Sequence, residues 1–244
     1  MIRNGSTPAW CLVVLALCAL LATRSARAQS SDESSDSASH RLSASYDVLF
    51  ASKYLFQGID YSDSRGVAQP NLNVAYGDLT FNAWGNFQPD LDVLNEIDLS
   101  VKYGRSFHGF SVSPGYMALR YPNREWDPSQ EVFLELGGPG PLHPSLSVHY
   151  DFDSGQGSYS TLGVSHAVKG PVSLGVNVFY QNQYYEMTGC PAIELKATAA
   201  LSIGVLGFTP SLSHFATWEN GDFQGAAKVP SSWLLGIDFS HQIR

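Results

Sequence analysis

The sequence predicts an all-β protein, a single antiparallel up-and-down transmembrane β-barrel of about twelve strands. Three observations carry that expectation. From Leu42 to Ile59, LSASYDVLFASKYLFQGI, apolar residues occupy the even positions and mostly polar ones the odd positions. That period of two belongs to a strand with unlike faces, and it outlasts the roughly 5 or 6 residues of an ordinary strand. Similar stretches recur down the chain, near the length of about 9 to 11 residues that a tilted strand needs to cross a bilayer. The connections between them alternate long and short, as extracellular loops and periplasmic turns do.

Ahead of the first strand the chain carries Arg3, an apolar run from Trp10 to Ala22, and Ala26-Arg27-Ala28. This is the pattern of a secretory signal peptide, residues 1–28, cut before Gln29; the run is too short for a membrane-spanning helix. Residues 1–28 hold three arginines and no acid, so their removal takes the formal charge from −8 to −11. So acidic a chain argues against nucleic acid as a partner. Cys11 and Cys18 leave with the leader and Cys190 remains, which excludes an internal disulfide framework and a thiolate metal cluster. Residues 29–40, QSSDESSDSASH, are acidic and Ser-rich with little to bury, and are expected to form a disordered tail. Residues 41–244 are left for the barrel, with no apolar run long enough for a membrane helix, so any crossing must be made by strands.

The first strand leads into the polar segment DYSDSRGV. Gln69 to Tyr76 sets Leu72, Val74 and Tyr76 against Asn71 and Asn73, Gly77-Asp78 signals a hairpin turn, and Leu79 to Phe87 resumes the alternation. Asn95 to Tyr103 turns Ile97, Leu99, Val101 and Tyr103 outward. Phe110 to Tyr121 is less regular: Met117 and Leu119 fall on its inner face, and Pro114 predicts a bulge that resets the phase. Gln130 to Leu136, Ser145 to Phe152, Ser158 to His166 and Val172 to Gln181 follow, then Ile193 to Ile203, Leu206 to Ala216 and Trp233 to Ile243.

Aromatic residues near strand ends suit two interfacial girdles: Tyr54, Phe56, Tyr76, Phe87, Tyr103, Tyr121, Phe152, Tyr180, Trp218 and Trp233. The competing architecture is a secreted soluble β-barrel or sandwich with the apolar face as core, because alternation alone does not say which face is inside. Strand length, the girdles and the missing disulfides favour the membrane.

SKYLFQGIDYSDSRGVAQPNL, with Phe56-Gln57-Gly58-Ile59, resembles the TorF-type porin family, whose first strand ends in F-R-G-I; here Gln57 stands for the Arg. Asn82-Ala83-Trp84-Gly85-Asn86, and Glu96-Ile97-Asp98-Leu99 with Lys102-Tyr103-Gly104, look like two further strands of that family, so the likeness covers roughly residues 52 to 104. The resemblance implies an outer-membrane barrel with a pore and offers no catalytic residues.

If the polar face is the lumen, its charges are Asp47, Lys53, Glu96, Asp98, Lys102, Glu131, Glu135, Asp151, Glu194, Lys196 and Asp238, with Trp84, Phe133 and Phe179 narrowing the bore. The acid excess predicts a narrow passive channel for cations or small polar solutes. The first alternative is a structural or adhesive barrel whose charges pair across strands, as Asp98 with Lys102, and plug the interior. An outer-membrane hydrolase on Ser147, His149 and Asp151 is the weaker alternative, because same-face neighbours two apart lie about 7 Å from each other, beyond hydrogen-bond reach. The loop acids Asp60 with Asp63, Asp90 with Asp92, and Glu125 with Asp127 lack a complete Ca²⁺ ligand spacing. No cofactor and no metal site is expected; the expected partners are the lipid bilayer of the outer membrane, the barrel-insertion machinery, and small solutes or ions. The mature chain is expected to be cut after Ala28 and recovered in the outer membrane with heat-modifiable gel mobility, whereas a soluble periplasmic product would restore the soluble barrel.

Overall fold

A computed structural model describes residues 42–217 and 231–243. The expected signal peptide, the acidic tail and the loop from Trp218 lie outside the described residues. The barrel strands, in chain order, are β1 (Leu42–Ala51), β2 (Val67–Tyr76), β3 (Leu79–Gln88), β4 (Val93–Tyr103), β5 (Phe110–Arg120) and β6 (Ser129–Gly137). They continue as β7 (Ser145–Asp151), β8 (Gly157–Lys169), β9 (Val172–Tyr184), β10 (Ala192–Ala199), β11 (Leu206–Thr217) and β12 (Ser232–Ile243). Each pairs antiparallel with its sequence neighbours, and β1 pairs with β12 from Ala44 opposite Ile243 to Ala51 opposite Gly236, so the sheet closes on itself. No helix among the described residues is long and apolar enough to cross a membrane.

The alternation read from the sequence decides which side chains face out. Leu42, Tyr46 and Phe50 of β1, Leu72 and Tyr76 of β2, Leu79 and Phe81 of β3, and Trp233, Leu235 and Phe239 of β12 are all exposed large apolar residues. Exposed apolar residues continue around the wall through Leu99, Val132, Val148, Leu174, Leu195 and Leu212. An apolar belt on a closed sheet with every ladder paired is the solution a bilayer imposes, and the architecture is that of an outer-membrane barrel.

The register shifts between β3 and β4, and again near both ends of the β8–β9 ladder, at Ser158/Tyr159 and Ala167/Lys169. Between β3 and β4 the register steps from Asn86 opposite Glu96 to Phe87 opposite Leu94, a bulge that turns Asn95 and Glu96 inward together. Pro114, by contrast, causes no bulge. The register is the same on both sides of it, with Lys102 opposite Gly115 and, in the short extension Arg105–Phe107, Arg105 opposite Val112. The proline sits in the gap between those two ladder segments, where a missing N–H costs nothing, and stays in step with Leu134 on its other side. The expected phase reset is thus absent, and Met117 and Leu119 do point inward.

The first strand is the larger correction. It ends at Ala51, and the alternation from Tyr54 onward belongs to a separate hairpin, Leu55–Phe56 against Ile59–Asp60. Gln57 and Gly58 turn it with φ of 51° and 86°, the two consecutive left-handed residues of a type I′ turn.

Phe239 is 47 % exposed on the outer wall and meets the ring of Phe50 edge-on at 6.1 Å across the closing seam. Phe239→Asp is expected to cost about 1 to 4 kcal/mol and to lower the folded fraction in the outer membrane. Normal assembly, scored by heat-modifiable mobility, would refute the lipid-facing assignment.

Candidate functional site: a constricted lumen

The hairpin folds into the barrel. Its base is held by Ser52, whose N–H donates to the Leu235 carbonyl at 2.8 Å, and by the Lys53 ammonium, which donates to Ser232 Oγ at 2.9 Å. From there the chain crosses the lumen. Phe56 meets the ring of Tyr159 on β8 edge-on at 5.2 Å, and Gln181 Nε2 on β9 donates to Gln57 Oε1 at 2.7 Å. Ile59 is buried with Tyr159 and Tyr184. Gly58 lies so close to the wall that a Cβ would stand 2.7 Å from Ala192 Cβ and 2.8 Å from Thr217 Cγ2. At this position glycine is required both by the turn and by the close approach.

The return limb is tied as firmly. Asp60 accepts from the backbone and hydroxyl of Ser62 and of Ser64, which uses its carboxylate as a loop brace. Gln69, Asn86, Asn95 and Gln88 form a buried relay that ends with Gln88 Nε2 donating to the Ser62 carbonyl. Arg124 donates to the Tyr61 carbonyl at 2.9 Å, and Arg65 pairs with Asp90 at the surface. The loop acids Asp60 and Asp90 are thus taken up by hydroxyls, N–H groups and a guanidinium. Among the described residues no group of three or more His, Cys, Asp or Glu stands where it would hold a metal ion.

The hairpin divides the interior. On one side lies an open cavity of about 480 Å³, lined by residues that include Lys53, Trp84, Asp98, His149, Glu194 and Lys196. Toward the short turns a further cavity of about 360 Å³ is lined by Ser145, Ser165, Ser173, Asn177, Lys196 and Thr198. On the loop side a small chamber of about 60 Å³ is enclosed by Glu96, Asp98 and a set of aromatic rings. Tyr54, Phe56 and Tyr121, expected in the interfacial girdles, line this chamber instead, because the loops that carry them turn inward. Tyr76, Tyr103, Phe152 and Trp233 do face outward. Burial, with the Glu96 charge nearby, holds the phenols of Tyr61 and Tyr121 well above the ordinary tyrosine range, so both rings stay neutral.

The inward charges fall into three groups. Lys102 pairs with Glu135 at 2.8 Å, rather than with Asp98. Glu131 and Asp151 are fully buried: Glu131 Oε2 accepts from the Tyr159 hydroxyl and meets His149 Nδ1 at 2.9 Å, and Asp151 accepts from Ser129. Most of the third group faces space. Asp98, Glu194, Lys53 and Lys196 line the larger cavity and Glu96 the small chamber, while Asp47 and Asp238, both half-buried, stand on β1 and β12 opposite Ser240 and Leu49 and line none of these cavities. Asp47 accepts from Asn71 and Glu194 from Asn177, neutral donors that leave the charge in place.

His149 is stacked between Phe133 and Tyr159, with centroids 5.1 and 4.5 Å away. Its carboxylate partner is Glu131 on the neighbouring strand, while Asp151 is engaged by Ser129, so Ser147, His149 and Asp151 do not form a relay. Sequence reasoning missed this sandwich and missed Arg124; cross-strand partners depend on register, which no local pattern supplies.

Solved structures that align with this chain include porins. The NanC porin aligns with a TM-score of 0.56 at 11 % identity, over 81 % of this chain and all of that one. OmpF of Salmonella typhi, solved with daunomycin, aligns at 7 % identity with a TM-score of 0.42, over 83 % of this chain and 97 % of that one. A mutant Rh. blastica porin aligns at 9 % identity with a TM-score of 0.34, over 83 % of this chain and 99 % of that one. The first is a likeness of fold, and the other two carry no further weight. No family model and no curated protein matches the sequence. The chain therefore shares its barrel fold with the NanC porin, and the TorF-type likeness rests on its motifs alone.

Gly58→Val is expected to unseat the hairpin tip, since it adds a β-branched side chain to a left-handed residue already in contact with Ala192 and Thr217. Trp84 lies 5.8 Å from Tyr54 and reports the shift: its fluorescence is expected to become more accessible to an aqueous quencher. Unchanged quenching would show that the tip is not seated there.

Proposed function

We propose that this protein is a narrow outer-membrane channel for cations or small polar solutes, with the inward hairpin as its constriction. The observation that carries the reading is the charge left facing space. Glu96, Asp98 and Glu194 line the cavities against Lys53 and Lys196 once the paired and sealed groups are set aside, and the half-buried Asp47 and Asp238 on the β1–β12 seam add to the acid excess. An acid excess inside a low-dielectric wall builds a negative potential that draws cations and repels anions. Twelve strands also give a bore between the roughly eight that side chains can fill and the 16 or more that leave a wide channel, so one folded-in hairpin can bring it down to small-solute size. The porin-type fold supports a passive conduit in place of an enzyme, and the dispersed Ser147, His149 and Asp151 supply no catalytic arrangement.

A plugged structural barrel is the second reading, favoured by the seat that Gln181, Ala192 and Thr217 make for the hairpin tip. Planar bilayer recordings on the refolded protein separate the two. The expected result is small conductance with cation preference, weaker at high salt because screening shortens the reach of the carboxylates. Joint Glu96→Gln and Asp98→Asn is expected to lower the preference, whereas Glu135→Gln, at a residue already neutralised by Lys102, is expected to change it less. Silence in the bilayer would support the plug, and anion preference would mean that Lys53 and Lys196 control the narrowest point.

A further inference from the structure

The small chamber under the loops has a chemistry distinct from the rest of the lumen. Its floor is two carboxylates on β4, Glu96 and Asp98, and its walls include the rings of Tyr54, Tyr61, Tyr121 and Trp126. Glu96 is only 8 % exposed, and Asp98 Oδ1 is buried and accepts no hydrogen bond among the described residues. A desolvated carboxylate oxygen without a partner is costly, and a positive charge in the chamber would offset that cost. Arg124 donates to the Tyr61 carbonyl and to Gln88 Oε1, its guanidinium lies 5.4 Å from the Trp126 ring, and its charge acts on Glu96 while Asp98 Oδ1 is left without a partner.

The lining also selects among cations. A strongly hydrated divalent ion asks for about six to eight oxygen ligands, and two carboxylates among aromatic rings do not furnish them. Aromatic faces attract weakly hydrated cations, most strongly where water is excluded. A volume of about 60 Å³ exceeds what one water requires and limits the occupant to a small molecule. We propose that this chamber binds a weakly hydrated monovalent cation of the ammonium type, held by Glu96 and Asp98 and flanked by the tyrosine and tryptophan rings. Tyr54, Phe56, Asp98 and Tyr159 line both this chamber and the larger cavity, so the bound cation sits between the loops and the lumen. Binding itself depends only on the chamber; its meaning as a selecting step rests on the channel reading above.

The test uses the full mature protein refolded in detergent and titrated with methylammonium chloride, with sodium chloride at equal ionic strength as the control. Tryptophan fluorescence is expected to change saturably with methylammonium and much less with sodium, and Trp126→Phe is expected to remove most of the signal. Asp98→Asn is expected to weaken binding about tenfold, with Glu96→Gln as the second variant should the first assemble poorly. Tyr121→Leu is expected to weaken it too, while Tyr121→Phe, which keeps the ring, is not. Heat-modifiable mobility verifies the barrel in each case. An identical response to sodium, or unchanged affinity in folded Asp98→Asn, would overturn the site. Cation-selective conductance without methylammonium binding sinks the site and leaves the channel standing; binding in a protein that never conducts does the reverse.

Discussion

Everything in this molecule depends on the pairing of its first strand with its last. A sheet in a bilayer has no water to satisfy an open edge, so β1 and β12 must meet, and they do so over the eight pairs from Ala44–Ile243 to Ala51–Gly236. With the ladder closed, side chains have only two places to go. The apolar set goes to lipid, and the polar set turns inward regardless of whether it has partners there. The interior therefore inherits a surplus of charge that no soluble core would tolerate, and its hydrogen bonds deal with that surplus group by group.

The hairpin answers a geometrical problem. Twelve strands enclose more space than their own inward side chains can fill. The chain fills the remainder on the loop side with a piece of itself, sealed by aromatic contacts such as Phe56 on Tyr159 and Tyr61 on Trp126. On the side of the short turns the interior stays polar and open, lined by serines and by Asn177 and Lys196.

The wall was legible in the sequence because each strand announces itself locally: period two, a Gly-Asp turn at Gly77, aromatics at the ends. The twelve barrel strands fall on the stretches that alternation marks, although the first stops short at Ala51. The constriction was not legible. Tyr54 and Phe56 keep the parity of β1, so a pattern-based reading runs the strand on through them, although Phe56-Gln57-Gly58-Ile59 encodes a type I′ turn. Sequence could not reveal that this turn points inward, since that depends on Gly58 finding Ala192 and Thr217 far along the chain. Pro114 misled for a related reason: its cost depends on which neighbour its missing N–H would have met, and that is a matter of register. Glu131 and Asp151 looked like channel charges, but their partners His149, Tyr159 and Ser129 come from other strands and seal them.

The anchoring of the hairpin also sets an order of events during assembly. Gln57 and Gln181 are 124 residues apart in sequence, and Lys53 and Ser232 are 179 apart. Contacts of such separation form late, because the intervening chain must be organised first. Leu235, whose carbonyl receives the Ser52 N–H, belongs to the strand that closes the barrel. The base of the constriction therefore gains its anchor only with the closing strand, whereas its tip rests on β8 to β11.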